Sequence, residues 1–282
     1  MKRFLMLSVA LMCVCGAKAQ SKEVIPWPLE PKNEYVEYML YLESEDIRMM
    51  GEKEFTLETA EILAGISDDY AQPEQVVADV NTLYKDVEKA WRKFVWLCNE
   101  ERFQEAIEHY SADPLMVDLQ LSHSMIRYTF HYDVLGFIAY DVLAEDEARR
   151  LMANAISIDC VMLGCNYADT GDPSYREYYD ESYYLLKTLY LELEDYQAAI
   201  DLIDARAQFL SVEDASACEI GSLCVAKAEM YFAMGDTKGA YNLLTEGKAL
   251  LEEEFQLNGD DEELKEALEA LDELINYVSQ LL

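Results

Sequence analysis

The sequence predicts an all-α protein built from antiparallel helix hairpins, and three observations carry that prediction. Glycine and proline are scarce, 11 and 6 in 282 residues, so few positions force the chain out of a helix. Apolar residues recur at spacings of three and four, the period of a helix with one buried face, and no alternating strand pattern competes. Near the C-terminus one residue order occurs twice. It runs Tyr183, Leu186, Tyr190, a turn, then Asp195, Tyr196, Ala199, Ile200 and Ile203; and again Cys224, Ala228, Tyr231, a turn at Gly235, then Asp236, Ala240 and Leu244. Tyr190 and Tyr231 are 41 residues apart, as are Ala199 and Ala240.

Taken from the beginning, residues 1–19 read as a cleaved secretory signal: Lys2 and Arg3, an apolar run from Phe4 to Cys15, then Gly16-Ala17-Lys18-Ala19. Met12 and Val14, the residues before Cys13 and Cys15, are not the small residues of lipoprotein processing. This favours a soluble mature chain in the periplasm, on the envelope or outside the cell. Residues 20–32 form an extended lead, because Pro26, Pro28 and Pro31 block a regular helix. Trp27 is expected to pack onto the first hairpin. Residues 33–282 are expected to form a single helical-repeat domain. Helices are predicted over 33–49, 56–66 and 74–98, with a turn across Asp68 to Pro73.

Two weaker copies of the residue order precede the clear pair. The first has Ala90, Phe94 and Leu97, a turn at Glu100 and Glu101, then Phe103, Ala106, Ile107 and Tyr110; the second has Tyr132, Leu135, Gly136 and Ala139, then Ala148, Met152 and Ala155. The small residues let helix axes approach, and the large ones fill the grooves beside them. Asn258 to Glu263 make a loop running into acids suited to a helix start. Leu264, Leu268, Leu271, Leu274, Ile275, Val278 and Leu281 then form one apolar stripe, as a terminal capping helix requires.

The repeated order resembles the tetratricopeptide (TPR) repeat family, most clearly over 183–247 and weakly over 87–160. The resemblance implies a right-handed α-α superhelix, a TPR-like solenoid with a concave groove that binds peptides or partner domains. The spacings here are 41 to 51 residues against a family period of about 34, so longer helices or extra turns at 111–130 and 165–173 must absorb the difference. Carried over residue by residue, the family's groove positions fall on Tyr184, Thr188, Leu191 and Glu192 in one unit and Val225, Glu229 and Phe232 in the next. In the weaker first unit they fall on Trp91, Val95 and Asn99.

Charge bounds the partner. The chain carries 56 acidic and 22 basic residues, a net charge of −34 that becomes −37 once Lys2, Arg3 and Lys18 leave with the signal. Such acidity disfavours nucleic acid and anionic membranes and favours a basic protein or peptide. No stretch beyond the signal has the ~20 uninterrupted apolar residues of a transmembrane helix. The residues suggest no enzyme: there is no phosphate loop, no G-x-S-x-G, and no zinc-pair spacing among His109, His123 and His131. No cofactor or metal is implied. Cys160 and Cys165, five apart on one helix, point away from each other and are expected to stay unpaired. The leading expectation is therefore an exported, non-enzymatic binding scaffold; the alternative is capture of a glycan or small molecule on an aromatic groove, prompted by tyrosines 175, 178, 179, 183, 184 and 190.

Overall fold

A computed structural model describes residues 25–52, 54–65, 72–113, 115–211, 217–258 and 262–282, and among them the regular structure is entirely helical. The signal-like segment, most of the 68–73 turn and the 259–261 loop lie outside the described residues. The helices are α1 (Glu34–Met50), α2 (Leu57–Ala64), α3 (Pro73–Asn99), α4 (Phe103–Ala112), α5 (Leu115–Gln120), α6 (Ser124–Phe130), a π-helical turn (His131–Leu135), α7 (Gly136–Val142), α8 (Glu145–Thr170), α9 (Pro173–Glu192), α10 (Tyr196–Ser211), α11 (Ala217–Ala233), α12 (Thr237–Asn258) and α13 (Glu262–Ser279). The first three agree with the sequence-predicted spans to within two residues. Contacts divide the chain into two compact units, one ending at Ala155 and one running from Ile156 to Leu282, with the division inside α8.

In the first unit the lead is tied down by side chains at the end of α3. Asn99 Oδ1 accepts the Lys32 N–H at 2.8 Å while its Nδ2 donates to the Glu30 carbonyl at 3.1 Å. Asn33 caps α1 by accepting the Val36 N–H at 3.0 Å, and its amide donates to the Cys98 carbonyl at 2.9 Å. Trp27 lies under the Arg92 guanidinium of α3, 5.0 Å from ring centroid to cation. The core behind them is aromatic. Trp91, Phe94 and Phe130 are fully buried, with Phe130 edge-on to Trp91 at 5.4 Å and to Phe94 at 5.9 Å. Gly136 opens α7 where a β-carbon would meet the Met152 methyl at 3.1 Å, so the small residue permits α7 and α8 to touch.

In the second unit each helix from α9 onward packs on the next. The α11–α12 pair is the closest, and its register explains why. A β-carbon on Gly247 would lie 2.9 Å from Cys224 Cβ, and one on Gly221 would lie 3.0 Å from Leu251 Cδ2. Further along, Ala228 shares a core with Ala240, Leu244 and, from α13, Val278. Small residues thus face larger ones turn by turn along an antiparallel interface. Between α9 and α10 a buried cation takes the central place: Arg206 pairs with Asp180 at 2.5 Å and lies 4.7 and 5.1 Å from the rings of Tyr179 and Tyr183.

Three of the helix-to-helix turns have one geometry. Glu101, Glu194 and Gly235 take left-handed φ values of 56°, 54° and 83°. The next residue's N–H, on Arg102, Asp195 or Asp236, returns to the carbonyl of Leu97, Tyr190 or Tyr231 at 2.9 Å in each case, closing a Schellman-type helix end. Asp195 and Asp236 then cap the following helix by accepting the N–H of Ala198 at 3.2 Å and of Gly239 at 2.8 Å. Ala106, Ala199 and Ala240 sit one turn further on, all buried. The unit read over 132–155 departs from this: its first helix is interrupted by the π turn, and Leu143 leaves α7 in an extended conformation.

Among the described residues α8 is the one helix long and apolar enough to cross a membrane by length and composition, and 44% of its most apolar stretch is buried within the fold.

Candidate functional site

The second unit carries an open apolar hollow of about 120 Å³ where α11, α12 and α13 meet. From α11 come Val225, Ala228, Glu229 and Phe232; from α12 Ala240 and Leu244; from α13 Leu274, Tyr277 and Val278. The floor is the buried cluster of Ala228, Ala240, Leu244 and Val278. The walls are large side chains left partly in solvent: Phe232 is 40% exposed, Leu274 41% and Tyr277 58%. Glu229 is the single charged group of the lining, and it is exposed.

The hollow exists because α13 uses only part of its apolar stripe. Leu264, Leu271 and Val278 are buried, whereas Leu274, and Leu281 just past the end of α13, remain exposed. With Ala rather than a bulky residue at 228 and 240, the floor stays low between the taller Phe232 and Tyr277.

The structure brings together three of the seven sequence-predicted groove residues, Val225, Glu229 and Phe232. The other four lie on α9, outside the lining of this hollow. Tyr184 is 58% exposed, edge-on to Tyr183 at 5.2 Å, with the Lys187 ammonium 5.8 Å from its ring centroid. Thr188 donates its hydroxyl to the Tyr184 carbonyl at 2.9 Å, Leu191 is half-buried and Glu192 exposed. Of the remaining tyrosines on α9, Tyr179 and Tyr183 are core residues, and burial pushes both phenols up to about 12.

In the weaker first unit the carry-over fails. Trp91, Val95 and Asn99 are buried, not groove-lining. α3 is packed by α1, α2, α4 and α5, so the face that a solenoid would leave open is covered, and Asn99 spends its amide on the lead.

The three histidines and the cysteines at 98, 160, 165 and 224 are parts of the packing. His109 Nε2–H donates to the Ala90 carbonyl at 2.9 Å, and burial lowers its pKa. His131 shares a 3.3 Å hydrogen bond with the Tyr110 hydroxyl, and the His123 N–H donates to the buried Asp46 carboxylate at 2.7 Å. Cys98, Cys160, Cys165 and Cys224 are free thiols; burial pushes Cys160 up to about 11 and raises Cys98 and Cys224 as well. Among the described residues no three metal-ligating side chains gather.

Sequence reasoning missed Leu274 and Tyr277 as partners of the α11 residues. Leu274 is read there as part of a buried stripe, and the only signal for Tyr277 was an aromatic ring beside that stripe. Comparison with protein families, curated proteins and solved structures finds no match to this chain.

Proposed function

We propose that the chain is an exported, non-enzymatic helical-repeat scaffold of TPR-like type, with α13 as its cap, that holds a peptide segment of a protein partner in the hollow between α11, α12 and α13. The observation that carries this reading is the convergence of Val225, Glu229 and Phe232, marked by repeat position alone, on one hollow with a single acid in its lining.

Size and charge specify the occupant. A volume of about 120 Å³ is well below the ~300–1,000 Å³ of pockets that enclose small molecules, so it suits an anchor side chain rather than a whole ligand. An apolar anchor would be desolvated against Phe232, Leu274 and Tyr277, the kind of aromatic setting in which binding energy concentrates. Glu229, on a chain of net charge −34, favours lysine or arginine next to that anchor. The hollow therefore supports a peptide more than the alternative of glycan or small-molecule capture.

Panning a random peptide library on the purified chain tests this. Enriched peptides should pair an apolar residue with a neighbouring Lys or Arg, lose binding to Phe232→Asp, and weaken on Glu229→Gln. Peptides that bind both variants like the parent would refute it.

A further inference from the structure

We propose that the first unit carries a separate binding surface, an aromatic strip on α1 and the α6–π–α7 segment, which takes a lysine- or arginine-bearing segment of a protein partner. Tyr38 and Tyr41 lie one turn apart on α1 with ring planes within 10° and centroids 6.1 Å apart. Tyr128 and Tyr132 repeat the arrangement at 7° and 6.0 Å. The Tyr38 hydroxyl donates to Asp133 Oδ2 at 3.2 Å and so joins the two pairs. Their outer members face solvent: Tyr41 is 54% exposed and Tyr132 51%.

The π turn lengthens this strip. Its defining bond, from the Gly136 N–H to the His131 carbonyl, puts residue i+5 over residue i where an α-helix would put i+4. His131 and Gly136 consequently both face the core, and Tyr132 and Phe137 both face out, Phe137 being 61% exposed. In an uninterrupted α-helix a five-residue step would turn Phe137 about 140° away from Tyr132. Single π turns of this kind are frequent at functional sites.

The two stretches that carry these rings hold acids and no Lys or Arg. Residues 33–47 hold five acids and neither Lys nor Arg; Glu34 and Glu37 are exposed, Glu43 accepts from Gln120 at 2.9 Å, and Asp46 is buried. Residues 128–148 hold Asp133, Asp141, Glu145, Asp146 and Glu147, again with neither. Of the nearby cations, Arg48 is paired with Glu45 at 2.6 Å, Arg149 with Glu145 and, at 3.2 Å, with Asp146, and Arg127 is buried and faces Asp118 at 3.3 Å, so the exposed acids outside these pairs include Glu34, Glu37 and Asp141. Electron-rich ring faces among carboxylates attract a cation by quadrupole and by charge together. A neutral sugar would use the same rings but gain nothing from the acids, and an anion would be repelled.

The test is fluorescence anisotropy of the full chain with a labelled twelve-residue peptide of alternating Lys, Arg and Gly, at physiological salt. Replacing two exposed rings at constant charge, Tyr41→Leu with Tyr132→Leu, should weaken binding about five- to thirtyfold, the loss of two solvent-exposed cation–π contacts. Tyr41→Phe with Tyr132→Phe keeps the ring faces and should bind like the parent. Glu37→Gln with Asp141→Asn, at exposed positions, should weaken it as well. Phe232→Asp, which destroys the hollow of the second unit, should leave this binding unchanged, so the two surfaces fail or survive separately. Equal binding by the folded Leu pair overturns the proposal. So does tighter binding of maltohexaose or of free spermine than of the peptide, which would assign the strip to a glycan or a small polyamine.

Discussion

Substituting Gly247 by alanine tests the packing that builds the hollow, because simple helix propensity and the structure predict opposite signs. Gly247 lies inside α12, where alanine is favoured over glycine by about 0.8–1.0 kcal/mol. If its surroundings were open, the substitution would stabilise the protein by that amount. In the structure the new β-carbon would lie 2.9 Å from Cys224 Cβ, against the ~3.5–4.0 Å that two carbons prefer. Both atoms are fixed to helix backbones, so no rotamer change relieves the contact and α11 must move by more than half an ångström. Overpacking of this kind costs ~1–3 kcal/mol, which leaves a net loss of up to ~2 kcal/mol. At ~2–4 °C per kcal/mol for a chain of this size, the melting temperature should fall by up to ~8 °C. Two further substitutions supply the scale. Gly221→Ala meets only Leu251 side-chain atoms at 3.0–3.4 Å, which can swing aside, and should be close to neutral. Gly65→Ala meets no atom closer than a backbone carbonyl at 3.4 Å, with Gly65 already at φ −73°, and should be neutral or stabilising. Thermal unfolding followed by circular dichroism should rank them Gly65→Ala, then Gly221→Ala, then Gly247→Ala. A Gly247→Ala protein at least as stable as Gly65→Ala would refute the close approach of α11 and α12.

Asn99→Ala removes both hydrogen bonds to the lead and leaves the Lys32 N–H and Glu30 carbonyl unpaired, so it should cost ~1–3 kcal/mol and speed proteolytic clipping near residue 30; an unchanged clipping rate would count against the staple. On the alkaline side, the folded protein holds the Tyr179 and Tyr183 phenolic protons more tightly than the unfolded chain does, their pKa values being pushed up from 10.0 to about 12. Their contribution is intact below pH 10 and is lost as pH rises from about 10 toward 12, on the order of 2 kcal/mol per ring. Melts at pH 9 and pH 11, beside a tyrosinate absorbance titration, should find falling stability and a late-titrating pair, and uniform titration near pH 10 would contradict their burial.

What could be read in the sequence was whatever local chemistry decides. The turns at Glu101, Glu194 and Gly235 were legible because the flanking order of tyrosine or leucine, a turn, a capping residue and a small alanine acts within a dozen residues. The buried Ala106, Ala199 and Ala240 follow from the same order. Tertiary covering was not legible. α3 carries apolar residues around much of its circumference, and the pattern alone does not tell a groove-facing Trp91 from one enclosed by α1, α2, α4 and α5. Gly221 and Gly247 read locally as helix-weakening residues, although their function is to let two helices meet, a fact that resides in the partner helix. The hollow shows the same division. Its α11 residues could be found by register, but Leu274 and Tyr277 come from α13, and their place beside Phe232 depends on how far α13 slides before Val278 locks into the Ala228–Ala240 floor.

The π turn is the clearest case of information that periodicity conceals. One extra residue between Phe130 and Gly136 shifts every following position by about 100°, so a single helical phase drawn through Tyr128 and Tyr132 misses Phe137. Two phases joined at the turn recover it, with His131 and Gly136 on the inner face and Tyr132 and Phe137 on the outer. The interruption that weakens this stretch as a repeat therefore has a physical product of its own. It sets Phe137 on the same exposed face as Tyr132, on a segment where every charged residue from 128 to 148 is an acid. A regular hairpin at this position would keep the repeat and lose that shared face.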